Sequence, residues 1–335
     1  WNPTKREPFT VDGFGATFAP FPRAPGPVDD SDAPTPDGYL TAIARADLAT
    51  VRARFVGVQP LLDAEIAALE TVHIALAATA HVAVLVEPMQ SEGGDRYASA
   101  RFFRALRLLT RAHDVPLIFD EVQCGFGLSG PFAWHSAFDL VAADGSPDFP
   151  DAVTFAKRAQ VGVVMSNWSD PEPTQSHAAS LVRGRLHADI SAATAAADRV
   201  SAWVKPRLAD LATRFPELVG QPRSAGFALA FDLPTPADLS RWLGQRFWRG
   251  AVVFGAGDRT VRYRLSRAFG EVEIDALFLS MRRTAAWIVA NPGAAPPTWQ
   301  DFKAAEPAKT AESRALSGQK SGAIIQFRQA DPNER

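Results

Sequence analysis

Apolar positions change their spacing from segment to segment, and each change marks an element. Leu62, Ile66, Leu69, Val72 and Leu76 recur at helical period and predict a helix over 61–79. HVAVLVEP (81–88) is a continuous apolar run stopped by Pro88, the pattern of a buried strand. SARFFRALRLLTRAH (99–113) returns to helical period, with Phe102, Phe103, Leu106 and Leu109 on one face and Ser99 placed as N-cap. VPLIFDEV (115–122), DAVTFAK (151–157) and VGVVMS (161–166) predict further strands. Pro131 occupies the favoured first position of a helix over 131–138.

Strands that are apolar throughout and alternate with helices predict an α/β fold, its sheet parallel or mixed and covered on both faces. Ligands in such folds sit at the carboxyl ends of the strands. Three runs end there in polar chemistry: Glu87, Asp120–Glu121 and Lys157. Beyond residue 191 the pattern becomes α+β. An Ala-rich helix (192–215) precedes strands near 225–233, 251–254 and 260–266, with helices over 236–249 and 271–290. Residues 1–40, rich in Pro, Gly and Asp, predict an extended surface segment, and 291–335 a disordered tail or linker.

Composition narrows the possibilities. The 335 residues carry a net charge of −2, so no basic field marks a nucleic-acid binder. The longest apolar stretch, Ile74–Val86, is interrupted by Thr79 and His81 and is shorter than the roughly 20 residues a membrane helix needs. A single cysteine, Cys124, excludes an internal disulfide and a cysteine-based metal framework, and fits a reducing compartment. The six histidines show no metal spacing, and no GxSxG elbow anchors a hydrolase triad. The first residue is Trp, and the segment after it reads neither as a signal h-region nor as a transit peptide.

LIFDEVQCGFGLSG admits three readings. A Walker B strand would need a GxxxxGK[ST] loop, which is absent. Gly125, Gly127 and Gly130 spell GxGxxG, but four residues separate them from Asp120 and Pro131 follows directly, unlike a dinucleotide fingerprint. In the third, Asp120 points from a strand end at a cationic heterocycle; alone, it would more readily be a carboxylate capping the next turn. Lys157 adds weight to the third. It is the only lysine across residues 6–204 of a chain that otherwise uses arginine. Beside apolar strand residues an amine loses charge stabilisation and becomes a candidate nucleophile, although surface lysines generally snorkel. EPMQSEGGD (87–95) is a strand-to-helix loop by composition, with Glu87 or Glu92 as candidate site groups. In RTVRYRLSR, period two places Arg262 and Arg264 on one strand face, either solvated or forming a fork for a carboxylate.

VEPMQSEGGDRYASARFFRALRLLTRAHDVPLIFDEVQCGFGLSGPFAWH, continuing to DAVTFAKRAQVGVVMS, closely resembles class III pyridoxal-phosphate-dependent aminotransferases. QSEGGD is similar to the 4-aminobutyrate aminotransferase subgroup and KRAQVGVVMS to L-lysine 6-aminotransferase; the likeness covers roughly residues 17–290. The resemblance implies a fold-type I large domain over 41–191 and a C-terminal α+β small domain over 192–290. It implies pyridoxal 5'-phosphate as cofactor, and transfer of a terminal ω-amine from an amino acid to a 2-oxo acid. Lys157 would hold the cofactor covalently and shuttle the proton. Asp120 would pair with the pyridine nitrogen, Val122 would pack on the ring, and Gln123 would bond its phenolic oxygen. Glu92 would pair with Arg264 to gate between substrates. A cytoplasmic homodimer follows from the same resemblance.

The family's N-terminal portion, with its phosphate cup and HGRT segment, is not recognisable, so the chain reads as truncated. SLVRGRLHADIS stands where the family has a threonine reaching the partner's phosphate, leaving Arg183, Arg185 or His187 as substitutes. A non-catalytic, aminotransferase-like scaffold is the competing expectation. Retention of Lys157, Asp120 and Gln123 together favours the enzyme.

Overall fold

A computed structural model describes residues 15–28, 30–169, 178–191 and 195–305. Among the described residues the first three helices are α1 (Tyr39–Ala44), α2 (Leu48–Phe55) and α3 (Pro60–Ala78). The Asp47 side chain caps α2 by accepting from Thr50 N at 3.0 Å, and Pro60 opens α3 where its missing N–H costs nothing. Short strands β1 (Val84–Val86), β2 (Met89–Gln90) and β3 (Arg96–Tyr97) follow, then α4 (Ala100–Ala112). Ser99 Oγ caps α4 by accepting from Phe102 N, as its sequence predicts. The strands β4 (Leu117–Asp120), β5 (Ala152–Phe155) and β6 (Val163–Ser166) complete a sheet of order β1-β4-β5-β6. β1, β4 and β5 run parallel, and β6 returns antiparallel.

The rest comprises α5 (Ala178–Ser191), α6 (Ala195–Arg214), β7 (Gly220–Ala225), β8 (Ala228–Asp232), α7 (Pro236–Gly244), α8 (Arg246–Arg249), β9 (Phe254–Ala256), β10 (Thr260–Arg264) and α9 (Glu271–Ala290). Its antiparallel sheet has the order β7-β8-β10-β9. Phe231 and Val261 are fully buried in it, and Trp242 from α7 packs on Phe231 at 5.0 Å.

One face of the parallel sheet lies on the core beside α4. Phe103 stacks on Phe138 with centroids 4.2 Å apart and lies 5.6 Å from Phe119 of β4. Arg107, buried, ties α4 to the segment entering β5 through Asp148 (2.8 Å) and Asp151 (2.6 Å). Helices were expected on both faces. Among the described residues the opposite face is largely open: Leu85 and Val164 are 64% and 71% exposed, and Ile118, Asp120 and Thr154 are half-buried.

Three expectations change. The helix over 131–138 is only a 3-10 turn, Trp134–Phe138. Buried Glu121 accepts from the backbone N–H of Trp134 (2.6 Å) and His135 (2.8 Å) and from His135 Nδ1 (2.7 Å), which fixes the chain there in a turn. The polar strand β7 went unanticipated because Pro222 and a register shift between Gly220 and Arg223 hide its alternation. Residues 291–305 are not a free tail. Arg241 Nη2 donates to the Ile288 and Asn291 carbonyls, and Trp299 and Phe302 pack around Phe247. Residues 1–14 and 306–335 lie outside the described residues.

Candidate active site

Parallel pairing brings the three polar strand ends together. Val86 is in register with Phe119, and Asp120 with Thr154. Glu87, one residue past β1, therefore stands beside Asp120 at the end of β4, on the same side of the sheet. Asp120 Oδ1 accepts from Val122 N (3.0 Å) and Thr154 Oγ1 (3.2 Å). Among the described residues Oδ2 carries no hydrogen bond, so one oxygen anchors the carboxylate and the other is free to meet a ligand.

Lys157 follows β5 by two residues, exposed, in a 3-10 turn with φ 49°. That left-handed backbone is uncommon for a residue with a side chain and is the kind of local strain that gathers at functional sites. Among the described residues its amine makes no ion pair. Helix α5 sits against this turn at Gly184, where a Cβ would meet Val161 Cγ1 at 2.6 Å and the Ala159 carbonyl at 3.3 Å. Glu87 feels both candidates. Burial, then the Asp120 carboxylate, push its pKa up to about 7, against the Ser91 N–H and the Lys157 charge, which lower it. Glu87, Asp120 and Lys157 are thus one electrostatic cluster, and Glu87 changes charge near neutrality.

A second cluster joins the 92–95 loop to β10. Glu92 Oε1 accepts from Arg262 Nη2 (2.6 Å) and Gln123 Nε2 (3.0 Å), and Gln123 Oε1 lies 3.4 Å from Arg262 Nη1. Glu92 was expected to meet Arg264. Arg264 instead forms a fork on fully buried Asp95, with both bonds at 2.6 Å. Burial acts to lower the Arg264 pKa, but the Asp95 carboxylate outweighs it and holds the guanidinium above the ordinary arginine range. The two arginines do share a face, as period two predicts, and the residue that reaches Glu92 is Arg262. Buried Arg223 completes the junction through the Asp95 carbonyl (2.9 Å) and Asp232 (2.7 Å). Thr154, Asp95, Arg223 and the pairing of Arg262 escaped the sequence reading; only the alternation of Arg262 with Arg264 hinted at them.

Arg183 and Arg185 are exposed and engaged on their own helix, Arg183 with Ser180 Oγ (3.3 Å) and Arg185 with Asp189 (3.3 Å); His187 is half-buried. Cys124 is buried beneath the site, and burial followed by the charge of Glu121 raises its thiol well above the usual range.

The sequence profile described as "Aminotransferase class-III" matches residues 57–284, more than half of the chain. The chain belongs to the class-III aminotransferases. Among curated class-III relatives, L-lysine-epsilon aminotransferase of Mycobacterium tuberculosis is 34% identical over 215 residues, covering 59% of this chain and 46% of the relative. The 4-aminobutyrate aminotransferase of Dictyostelium discoideum is 34% identical over 209 residues, covering 58% and 40%. Among solved structures, lysine aminotransferase from M. tuberculosis superposes with a TM-score of 0.62 at 31% identity, covering 69% of this chain and 55% of that one. The chain spans about half the length of the class-III relatives it matches.

Class-III aminotransferases are pyridoxal-phosphate-dependent, and the residues at the strand ends fit the ring of that cofactor. Asp120 offers an anchored carboxylate with one unbonded oxygen, and Lys157 an unpaired amine one strand away. As they stand, the Gln123 amide is engaged by Glu92 and Arg262, and Val122 is half-buried beside Asp120.

Proposed function

We propose that the protein of which this chain is the whole or a part moves an amino group, from the terminal amine of an amino acid to a 2-oxo acid, with pyridoxal 5'-phosphate. The observation that carries the proposal is the placement of an anchored Asp120 and an unpaired Lys157 at the carboxyl ends of neighbouring parallel strands. Bound there, the cofactor supplies an electron sink for the bond-breaking at the amine-bearing carbon.

Lys157 would hold the cofactor through its amine and would serve as the group that moves a proton at the substrate. Its exposed, strained turn, braced by α5 at Gly184, keeps the amine clear of competing partners. Asp120, held by Val122 N and Thr154 Oγ1, would pair with the ring nitrogen and keep it protonated, and Val122 would pack on the ring. Gln123 bonds the phenolic oxygen when it leaves Glu92. Glu92 and Arg262 form the substrate gate: paired, they admit a substrate end without a carboxylate, and parted, Arg262 receives one. Glu92 is 45% exposed at its side chain and Arg262 10%, so Glu92 is the more accessible partner of the gate. Arg264, spent on Asp95, holds the 92–95 loop rather than substrate. The proposal extends to action as a cytoplasmic homodimer, by likeness to the family. Among the described residues no helix is long and apolar enough to cross a membrane.

The test is chemical. The chain is mixed with pyridoxal phosphate, reduced with borohydride, digested and mapped by mass spectrometry. The expected result is a pyridoxyl label on the peptide holding Lys157, lost in Lys157→Ala and weakened in Asp120→Asn. Equal labelling of all accessible lysines, unaffected by Asp120→Asn, would leave the scaffold alternative standing. A donor screen with amino acids of different ω-amine chain length then assigns the substrate.

A further inference from the structure

The arginine that follows the candidate lysine has no carboxylate to answer its charge. Arg158 stands in the 3-10 turn Lys157–Ala159 and is half-buried. Its Nε donates to the Phe126 carbonyl at 3.3 Å, and its guanidinium carbon lies 5.4 Å from the centre of the Phe227 ring. Those two contacts hold the guanidinium in place without neutralising it. Among the described residues Arg158 forms no ion pair, and its two Nη groups make no hydrogen bond. Arginine does not give up its proton in a protein, so a half-buried guanidinium without a counter-charge costs stability.

Further positive charge gathers around the same ring. Gly226, left-handed at φ 54°, lets the Leu128–Ser129 backbone pack directly on it, and Phe227 N donates to the Leu128 carbonyl at 2.8 Å. The Phe227 carbonyl accepts from Leu265 N at 2.8 Å, so the segment carrying Arg264 and Arg267 passes beside Phe227. Burial, followed by the charges of Arg267 and Arg264, holds the Arg158 guanidinium below the ordinary arginine range. The charges that bear on Arg158 are thus positive, like its own. We infer that Arg158, with Arg267 beside it, forms an oxyanion subsite adjoining Lys157 that takes a carboxylate or phosphate group of the ligand.

The chemistry is that of a planar fork. With Nε spent on Phe126, the outer Nη1 and Nη2 edge matches two oxygens of a carboxylate or phosphate. The guanidinium is already held against Phe126 and Phe227, so little side-chain freedom is lost on binding. The anion supplies the missing counter-charge. The subsite is separate from the gate, where Arg262 is engaged by Glu92 and Arg264 by Asp95. The inference rests on the proposed function only in making the oxyanion part of a ligand of Lys157. The carboxylate of an amino or 2-oxo acid and the phosphate of the cofactor share this chemistry.

The test titrates the whole chain by calorimetry with succinate and with inorganic phosphate, without cofactor and at an ionic strength fixed with chloride. The wild type is expected to bind at least one of the two at millimolar concentration, and Arg158→Gln to bind it about tenfold or more weakly. Arg185→Gln, at an exposed arginine engaged on its own helix, is the control and should bind as the wild type does. Melting temperature separates a site from a structural arginine: the bound anion raises it in the wild type and leaves Arg158→Gln unmoved. Should Arg158→Gln fail to fold, Arg158→Lys keeps the charge without the fork and should bind several-fold more weakly. The source of the oxyanion is read from borohydride labelling of Lys157. Arg158→Gln lowers labelling by pyridoxal phosphate but not by pyridoxal if the group is the cofactor's phosphate, and leaves both unchanged if it is a substrate carboxylate. Failure of the wild type to bind either anion, or equal binding by Arg158→Gln, overturns the subsite. Anion binding that depends on Arg158 in a chain whose Lys157 takes no label would sink the proposed function and leave the subsite standing.

Discussion

The two sheets of this protein are finished to different degrees. In the β7-β8-β10-β9 sheet the central strands are buried nearly throughout: Leu229, Ala230 and Phe231 of β8 and Val261 of β10 are at most 1% exposed, with α6, α7 and α9 around them. In the β1-β4-β5-β6 sheet one face rests on the Phe103–Phe119–Phe138 cluster, while the other leaves Leu85 and Val164 in solvent. Asp120 and Thr154 lie on that open face, with Glu87 and Lys157 just past the neighbouring strand ends. Closing a sheet on both sides serves stability, and leaving a strand-end margin accessible serves a ligand. The polar junction of Asp95, Arg223, Arg262 and Arg264 couples the finished part to the site-bearing one.

That contrast is sharpest in a pair of truncations. Phe231→Ala removes a fully buried ring that packs on Trp242, and is expected to cost about 3–5 kcal/mol in urea unfolding. Leu85→Ala also truncates a large apolar side chain on a strand, but one already 64% exposed, and should change stability by no more than ~0.5 kcal/mol. A Leu85→Ala cost approaching that of Phe231→Ala would mean that the face is covered in solution, and the contrast would collapse.

Next in size is the pH dependence that Glu87 confers. Its carboxyl rises from the ordinary value of 4.5 to about 7 on folding, chiefly through burial and secondarily through Asp120. The folded state then holds a proton that the unfolded chain has released. Glu87's favourable contribution is complete below pH 4.5 and is lost as pH rises to about 7, after which the curve is flat. At ~1.4 kcal/mol per unit the span is about 3 kcal/mol, an order-of-magnitude figure. Urea unfolding of Glu87→Gln against pH should lack this fall, so the variant gains on the wild type most at pH 8. Parallel curves for the two proteins would remove Glu87 from the cluster.

The positions of much of the candidate site are legible in the sequence, for a physical reason. A strand of a parallel sheet is written as a largely apolar run, so its carboxyl end is visible where charged residues begin: Glu87 one residue past β1, Asp120 closing β4 and Lys157 two residues past β5. The partner of Glu92 was not legible in the same way. Arg262 and Arg264 share a face of β10, and which of them reaches Glu92 depends on Asp95, a buried carboxylate that captures Arg264. Spacing gives a face but not a register against a distant loop. The turn at 134–138 was misjudged similarly: Pro131 predicted a helix start, and a carboxylate 13 residues before Trp134 overrode it. The open sheet face could not be foreseen either, because an apolar run predicts burial and does not say what provides the cover.

The smallest expected effect separates function from stability at one position. Lys157 holds φ 49°, where an L-residue is strained and glycine is not. Lys157→Gly relieves that strain while adding freedom to the unfolded chain, so the net gain should be about 0.5–1 kcal/mol in urea unfolding without added cofactor. An amine that served the fold through an ion pair would give the opposite sign, since its removal would cost stability. Lys157 forms no ion pair among the described residues, and its neighbours Ala159 and Val161 already brace the turn against Gly184. A chain that becomes more stable as it loses its borohydride-fixed label is therefore the signature of a lysine kept for chemistry. A loss of more than ~1 kcal/mol would make Lys157 a structural residue and weaken the site built around it.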